Sequence, residues 1–134
     1  MIRTMIKKSK LTPQGLVQSF AYAFNGIRIT FFSQQHAWVY LAMTVSILTA
    51  GAVLKISPRE WCWMIIAVVT VWTAEALNTA FEFLCDVASP EFHPLVEKAK
   101  DVSAGAVLIC IIGAVAIGLI VLGPPLLNFL GFIP

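Results

Sequence analysis

Residues 74–86 read A-E-A-L-N-T-A-F-E-F-L-C-D, and they extend the apolar run 61–73 with no helix-breaking residue between. Glu75, Asn78, Glu82 and Asp86 follow one another at steps of three, four and four residues. At about 100° per residue these steps put all four polar groups on one narrow stripe of a helix. An unpaired carboxylate in hydrocarbon costs at least a few kcal/mol, so acids on a helix long enough to cross a bilayer point to function. Asp86 alone reads as the ordinary charge of a solvated helix end. Glu75 does not: about a dozen nearly uncharged residues precede it, and Ala76, Leu77, Ala80 and Phe81 surround it.

The rest of the chain supports a membrane setting. Of 134 residues 59% are hydrophobic and 12% charged, with a mean hydropathy of +0.86, whereas a soluble domain carries about 25% charge. One membrane-embedded domain over residues 1–134 accounts for this length. Arg3, Lys7, Lys8 and Lys10 form a basic start. It is too short, and too lacking in interleaved aromatics, for a nucleic-acid partner, and it fits a cytoplasmic flank or an anionic lipid surface. Cys62, Cys85 and Cys110 are scattered in apolar segments; they form neither a metal spacing nor a disulfide framework and read as small apolar side chains.

Working outward from the stripe, four helices are expected. Residues 12–33 begin with Thr12 as N-cap and Pro13 at the first helical position. Leu16, Phe20, Ala23, Phe24, Ile27 and Phe31 share one face, and Gln18, Tyr22, Asn25 and Arg28 another, as in a helix lying in the membrane interface. Ser33-Gln34-Gln35-His36 is a polar break where the chain should bend. A first span covers about 36–55, with uncharged residues 37–54 and interfacial Trp38 and Tyr40 at its start. Ser57-Pro58-Arg59-Glu60 reads as a capping box, with Ile56 and Trp61 as its hydrophobic staple. It starts the second span, 58–87, which exceeds a bilayer's need and so should carry its acids toward the headgroups. A third helix covers 94–122, spans with 102–122, and should stop at Gly123-Pro124-Pro125. Ala106, Cys110, Ala114 and Gly118 give it a small-residue face that permits close helix approach. The fold class is therefore all-α, an N-terminal amphipathic surface helix plus three transmembrane helices. Lysine and arginine placement makes the N-terminus and the 88–101 connection cytoplasmic.

This topology gathers Glu75, Asn78, Glu82, Asp86, Lys100 and Asp101 at one membrane face, with Gln34 and Arg28 alongside. Carboxylates and a lysine beside a lipid surface suit phosphoryl transfer: the acids hold Mg²⁺, the lysine offsets phosphate charge, and a carboxylate deprotonates an attacking hydroxyl. No Gly-rich phosphate loop is present. From spacing alone, an ion or proton pathway, as in a non-enzymatic transporter or proton-conducting bundle, explains the acids nearly as well. Against it, these charges cluster at one face instead of lining the depth of the membrane.

The run from Glu75 through Asn78 to Glu82, then Asp86, then Lys100-Asp101 with S-A-G-A-V at 103–107, resembles the signature of the small prokaryotic integral-membrane lipid kinases, the diacylglycerol kinase and undecaprenol kinase family. The resemblance extends from about residue 19 to 125. S-P-E-F-H-P-L at 89–95 and G-P-P at 123–125 are more similar to the undecaprenol kinase branch. The resemblance implies a homotrimer of the bacterial inner membrane with active sites shared between subunits, ATP as phosphoryl donor, Mg²⁺ as cofactor, and a lipid alcohol as substrate, undecaprenol before diacylglycerol. It also implies roles. Glu75 is the base that activates the lipid hydroxyl, and Asn78 orders the catalytic centre. Glu82 is a Mg²⁺ ligand at the nucleotide. Asp86 lies near the nucleotide, Lys100 binds its phosphates, and Asp101 assists beside it. One position departs: Gln34 stands where the family usually has a metal-binding Glu. An amide oxygen still coordinates Mg²⁺, with one unit less charge attraction. His36 and His93 read as interfacial and loop histidines, because Mg²⁺ prefers oxygen.

Overall fold

The computed structural model describes residues 12–33 and 37–132; Gln34, His36 and the basic residues 3–10 lie outside them. Helix α1 is Pro13–Ser33, α2 Ala37–Val53, α3 Pro58–Ala88 and α4 Pro94–Phe129, and no strand occurs among the described residues. The start of α1 follows from Thr12, whose hydroxyl accepts from Gly15 N–H at 3.1 Å and satisfies one of the orphan donors of the first turn. The apolar side chains Leu16, Phe20, Phe24 and Ile27 of α1 are exposed, whereas Thr30 in its last turns is buried. Most of the amphipathic face is therefore exposed, and only the end of α1 packs, where Phe31 meets Trp72.

α2 has 17 residues, a length of about 26 Å at 1.5 Å per residue, slightly short of a 30 Å hydrocarbon core. α3 and α4 are long and apolar enough to cross a membrane by themselves; α1 and α2 pass only as a pair bent by 104°. The described residues thus hold two to three candidate spans. The α2–α3 turn is local chemistry. Lys55 takes a left-handed φ of 52°. Lys55 N–H bonds Ala52 C=O at 3.3 Å and Ile56 N–H bonds Gly51 C=O at 3.2 Å, the paired bonds of a Schellman end. A Cβ on Gly51 would lie 3.0 Å from Ile56 Cδ1 and 3.2 Å from the Trp61 ring, so a larger residue there would need those side chains to shift by a few tenths of an ångström. The capping box forms as its residues dictate: Ser57 N–H bonds Glu60 Oε2 at 2.6 Å, and Glu60 N–H bonds Ser57 Oγ at 3.4 Å. Ile56 is buried in a cluster with Met64 and Val121, and Trp61 packs against it, which is the staple.

α3 and α4 form the principal interface, and α1 and α2 touch the pair over smaller areas. The buried positions of α3, Met64, Ala67, Glu75, Asn78, Thr79 and Cys85, recur at helical spacing, so the polar stripe continues the packing stripe. Between α2, α3 and α4 lies an apolar cavity of about 320 Å³ whose lining includes Tyr40, Thr44, Met64, Ala67, Ala114 and Gly118. Ala114 and Gly118 of the small-residue face thus border open space within the chain, and a Cβ on Gly118 would meet nothing within 4 Å.

The end of α4 differs from the expected stop at 122. The helix passes through Pro124 and Pro125 and runs to Phe129. Proline removes an N–H, but its φ suits a helix, and the four residues after Pro125 contain no breaker. The actual terminator is Gly131, at φ 79°. Phe132 N–H bonds Leu127 C=O and Gly131 N–H bonds Asn128 C=O, both at 3.0 Å, a second Schellman end. At the other terminus His93 is more than a loop residue: it caps α4, its Nδ1 accepting from Leu95 N–H at 3.2 Å.

Candidate active site

The stripe is real and graded in depth. Glu75 is 4% exposed and Asn78 7%. Glu82 is half-buried, and Asp86 is exposed at the end of α3. The back-bond from Thr79 Oγ1 to Glu75 C=O, 2.9 Å, satisfies the hydroxyl of the most buried polar residue. Asn78 Nδ2 donates to Glu82 Oε1 at 2.8 Å. A carboxylate can only accept, so this bond fixes the amide orientation, and it leaves Asn78 Oδ1 buried with no partner among the described residues. A buried acceptor without a donor costs about 1–3 kcal/mol, and such groups call for an explanation in function or in an unseen ligand.

At the stripe's outer end Lys100 Nζ sits 2.5 Å from Asp86 Oδ1, the Lys100 side chain 39% and the Asp86 side chain 63% exposed. This pair bridges α3 and α4 across 14 residues of sequence. Asp101 is exposed beside it and forms no ion pair among the described residues. Gln34 lies outside them. Arg28 places its guanidinium 5.8 Å from the Phe32 ring centre on α1.

The structure brings Glu75, Asn78 and Glu82 onto one packed face and joins Asp86 to Lys100. It does not converge the acids on a point. Glu75 and Glu82 are separated by seven residues, about 10 Å along the axis, and no group of three His, Cys, Asp or Glu suited to one ion occurs among the described residues. The Glu82 carboxylate and the buried, unpartnered Asn78 amide oxygen are hard oxygens. They fit Mg²⁺, which takes one or two carboxylates and completes its shell with water and substrate phosphate.

Sequence reading missed a second layer. Trp72, one turn before Glu75 on α3, stacks on Phe31 of α1 with centroids 4.5 Å apart. It meets the edge of Tyr40 of α2 at 6.3 Å and donates from Nε1 to Thr44 Oγ1 at 3.1 Å. The available signal was the step of three from Trp72 to Glu75, which sets both on the same face.

The chain is similar to known proteins of one family. The family model described as prokaryotic diacylglycerol kinase matches residues 21–122. A protein of Synechocystis sp. named diacylglycerol kinase is 34% identical over 116 residues, covering 86% of this chain and 66% of the relative. The undecaprenol kinase of Bacillus subtilis is 31% identical over 109 residues, 81% of this chain and 89% of the relative. The diacylglycerol kinase of Escherichia coli is 31% identical over 106 residues, 75% and 82% of the two. The chain spans about two thirds of the cyanobacterial relative and more than four fifths of the other two.

Proposed function

Because the chain belongs to the prokaryotic diacylglycerol kinase family of membrane lipid kinases, we propose that it transfers the γ-phosphoryl group of ATP to the hydroxyl of a membrane lipid alcohol. The substrate is undecaprenol, with diacylglycerol second; relatives of both names are similar to this chain. The observation that carries the reading is the buried Glu75 carboxylate, one turn from an amide oxygen with no partner, on a helix long and apolar enough to span a bilayer.

The residues divide the work by depth. Glu75 receives the proton of the lipid hydroxyl as that oxygen bonds to the γ-phosphorus; the bond from phosphorus to the bridging oxygen breaks, and ADP leaves. A base so placed contributes about 10²–10⁴-fold. Asn78 holds Glu82 by its amide N–H, and its carbonyl oxygen together with the Glu82 carboxylate would hold Mg²⁺. When bound, Mg²⁺ neutralises phosphate charge and orients the γ-phosphoryl group. Lys100, already oriented by Asp86, turns its ammonium to the phosphates as a point charge, and Asp101 assists at the nucleotide. The order Glu75, Asn78, Glu82, Asp86 along α3 then runs from the reacting hydroxyl outward to the nucleotide. The lipid enters sideways from the bilayer, and the apolar cavity reaching Tyr40 accommodates part of its chain.

The protein works in the bacterial inner membrane with its N-terminus cytoplasmic, α1 on the surface and α2, α3 and α4 crossing. It assembles as a homotrimer in which neighbouring subunits complete each site. The exposed apolar side chains of α2, α3 and α4 support lipid and subunit contacts of that kind. Purified protein given Mg·ATP and a panel of lipid alcohols tests the function. Phosphate should enter undecaprenol faster than diacylglycerol. Preference for diacylglycerol would reverse the substrate order, and transfer to neither would remove the proposal.

A further inference from the structure

Both aromatic ring pairs among the described residues include Trp72, and each joins a different helix to α3. Phe31 comes from the last turn of α1; Tyr40 and Thr44 lie one turn apart on α2. Elsewhere α1 and α2 meet α3 over small areas, the main packing being α3 on α4. The indole therefore carries a large share of the contact that holds α1 and α2 beside the catalytic stripe. Its N–H, which would be costly to leave unpaired at membrane depth, goes to Thr44 across the helix interface. Its position three residues before Glu75 places the contact within one turn of the carboxylate, and the edge of Tyr40 meets the ring there.

We propose that Trp72 is a positioning residue for phosphoryl transfer: it latches the end of α1 and the first half of α2 to α3, and so sets where the Glu75 carboxylate meets the lipid hydroxyl. This rests on the reading of Glu75 as the base. A displacement of about 1 Å at a reacting pair costs on the order of 10²-fold, so the latch acts on kcat. Lys100 and Asp86 sit at the far end of the stripe, several turns away, so the KM for ATP does not change.

The test uses five variants of the full-length protein in detergent micelles or vesicles with a lipid alcohol as acceptor. Trp72→Leu removes ring contacts and hydrogen bond together, and should lower kcat about 10- to 100-fold at unchanged KM for ATP. Trp72→Phe keeps a ring but loses the N–H, and Thr44→Val loses only the acceptor. Both should show smaller losses than Trp72→Leu, and the double variant should be no worse than the weaker of the two, because both remove the same bond. Glu75→Gln is the control. If it abolishes turnover while Trp72→Leu retains normal kcat, the latch is overturned and the base assignment survives. If Glu75→Gln turns over normally, the base assignment falls and the latch with it. Should Trp72→Leu fail to assemble, the milder pair decides: multiplicative losses in the double variant refute the latch, and a shared loss supports it.

Discussion

Replacing Asn78 with leucine should separate the chemistry of the site from the stability of the fold. Two terms oppose each other. The Asn78 Nδ2 bond to the Glu82 carboxylate, 2.8 Å long, is lost; a hydrogen bond to a charged group contributes about 1.5–3 kcal/mol. The buried Oδ1 without a partner is also lost, which relieves a penalty of about 1–3 kcal/mol. Leucine fills nearly the same space and suits an apolar interface. The net change in stability is therefore near zero, within about 2 kcal/mol either way. Activity has no such compensation. If the amide orients Glu82 and completes the phosphate-bound metal's shell, its removal costs at least the bond itself, about 10- to 150-fold in turnover at 1.36 kcal/mol per decade. The Mg²⁺ midpoint should also rise. The assay is paired: thermal or denaturant unfolding in a defined detergent, and phosphate transfer to a lipid alcohol across a Mg²⁺ titration. Unchanged Mg²⁺ dependence with near-normal turnover would refute the reasoning. So would a loss of stability large enough to account for the lost activity.

Other outcomes follow from single features. Lys100→Ala should raise the KM for ATP about tenfold or more while leaving lipid KM alone, and Lys100→Arg should keep part of the function, since the lysine acts as a point charge; initial rates against ATP check both. Lys55→Gly should stabilise the protein by roughly 0.5–1 kcal/mol, because a left-handed φ costs an L-residue about 1–2 kcal/mol and glycine returns part of that as unfolded-state entropy; a lower unfolding midpoint would contradict the Schellman reading of that turn. Gln34→Glu should raise Mg²⁺ affinity roughly tenfold, a fraction of the ~4 kcal/mol that one charge contributes at 4 Å and an effective dielectric of 20; an unaltered Mg²⁺ titration would mean that residue 34 does not face the metal.

What could be read in advance was local or periodic. The capping box at Ser57 and Glu60 depends on four consecutive residues and forms as its chemistry requires. The stripe from Glu75 to Glu82 depends on helical spacing, and its burial follows from sharing the packing face with Met64 and Ala67. What could not be read was long-range or a matter of competition. Nothing in the sequence pairs Lys100 with Asp86, because the partners are set by how α4 lies on α3. The latch at Trp72 joins residues from three helices. Pro124 and Pro125 are strong local breakers, yet α4 continues to a glycine that can take the left-handed turn. Lys55, with no special propensity, occupies a left-handed position because the staple and the close approach at Gly51 determine that turn.

The central claim is that a buried carboxylate on α3 activates a lipid hydroxyl toward ATP. It is tested most directly by following γ-labelled phosphate from Mg·ATP into the lipid phase with the native protein and with Glu75→Gln, nucleotide binding being measured on both. The account predicts labelled lipid with the native protein. For the variant it predicts a rate about 10²–10⁴-fold lower at unaltered nucleotide binding. Label appearing at the native rate in the Glu75→Gln protein would contradict it.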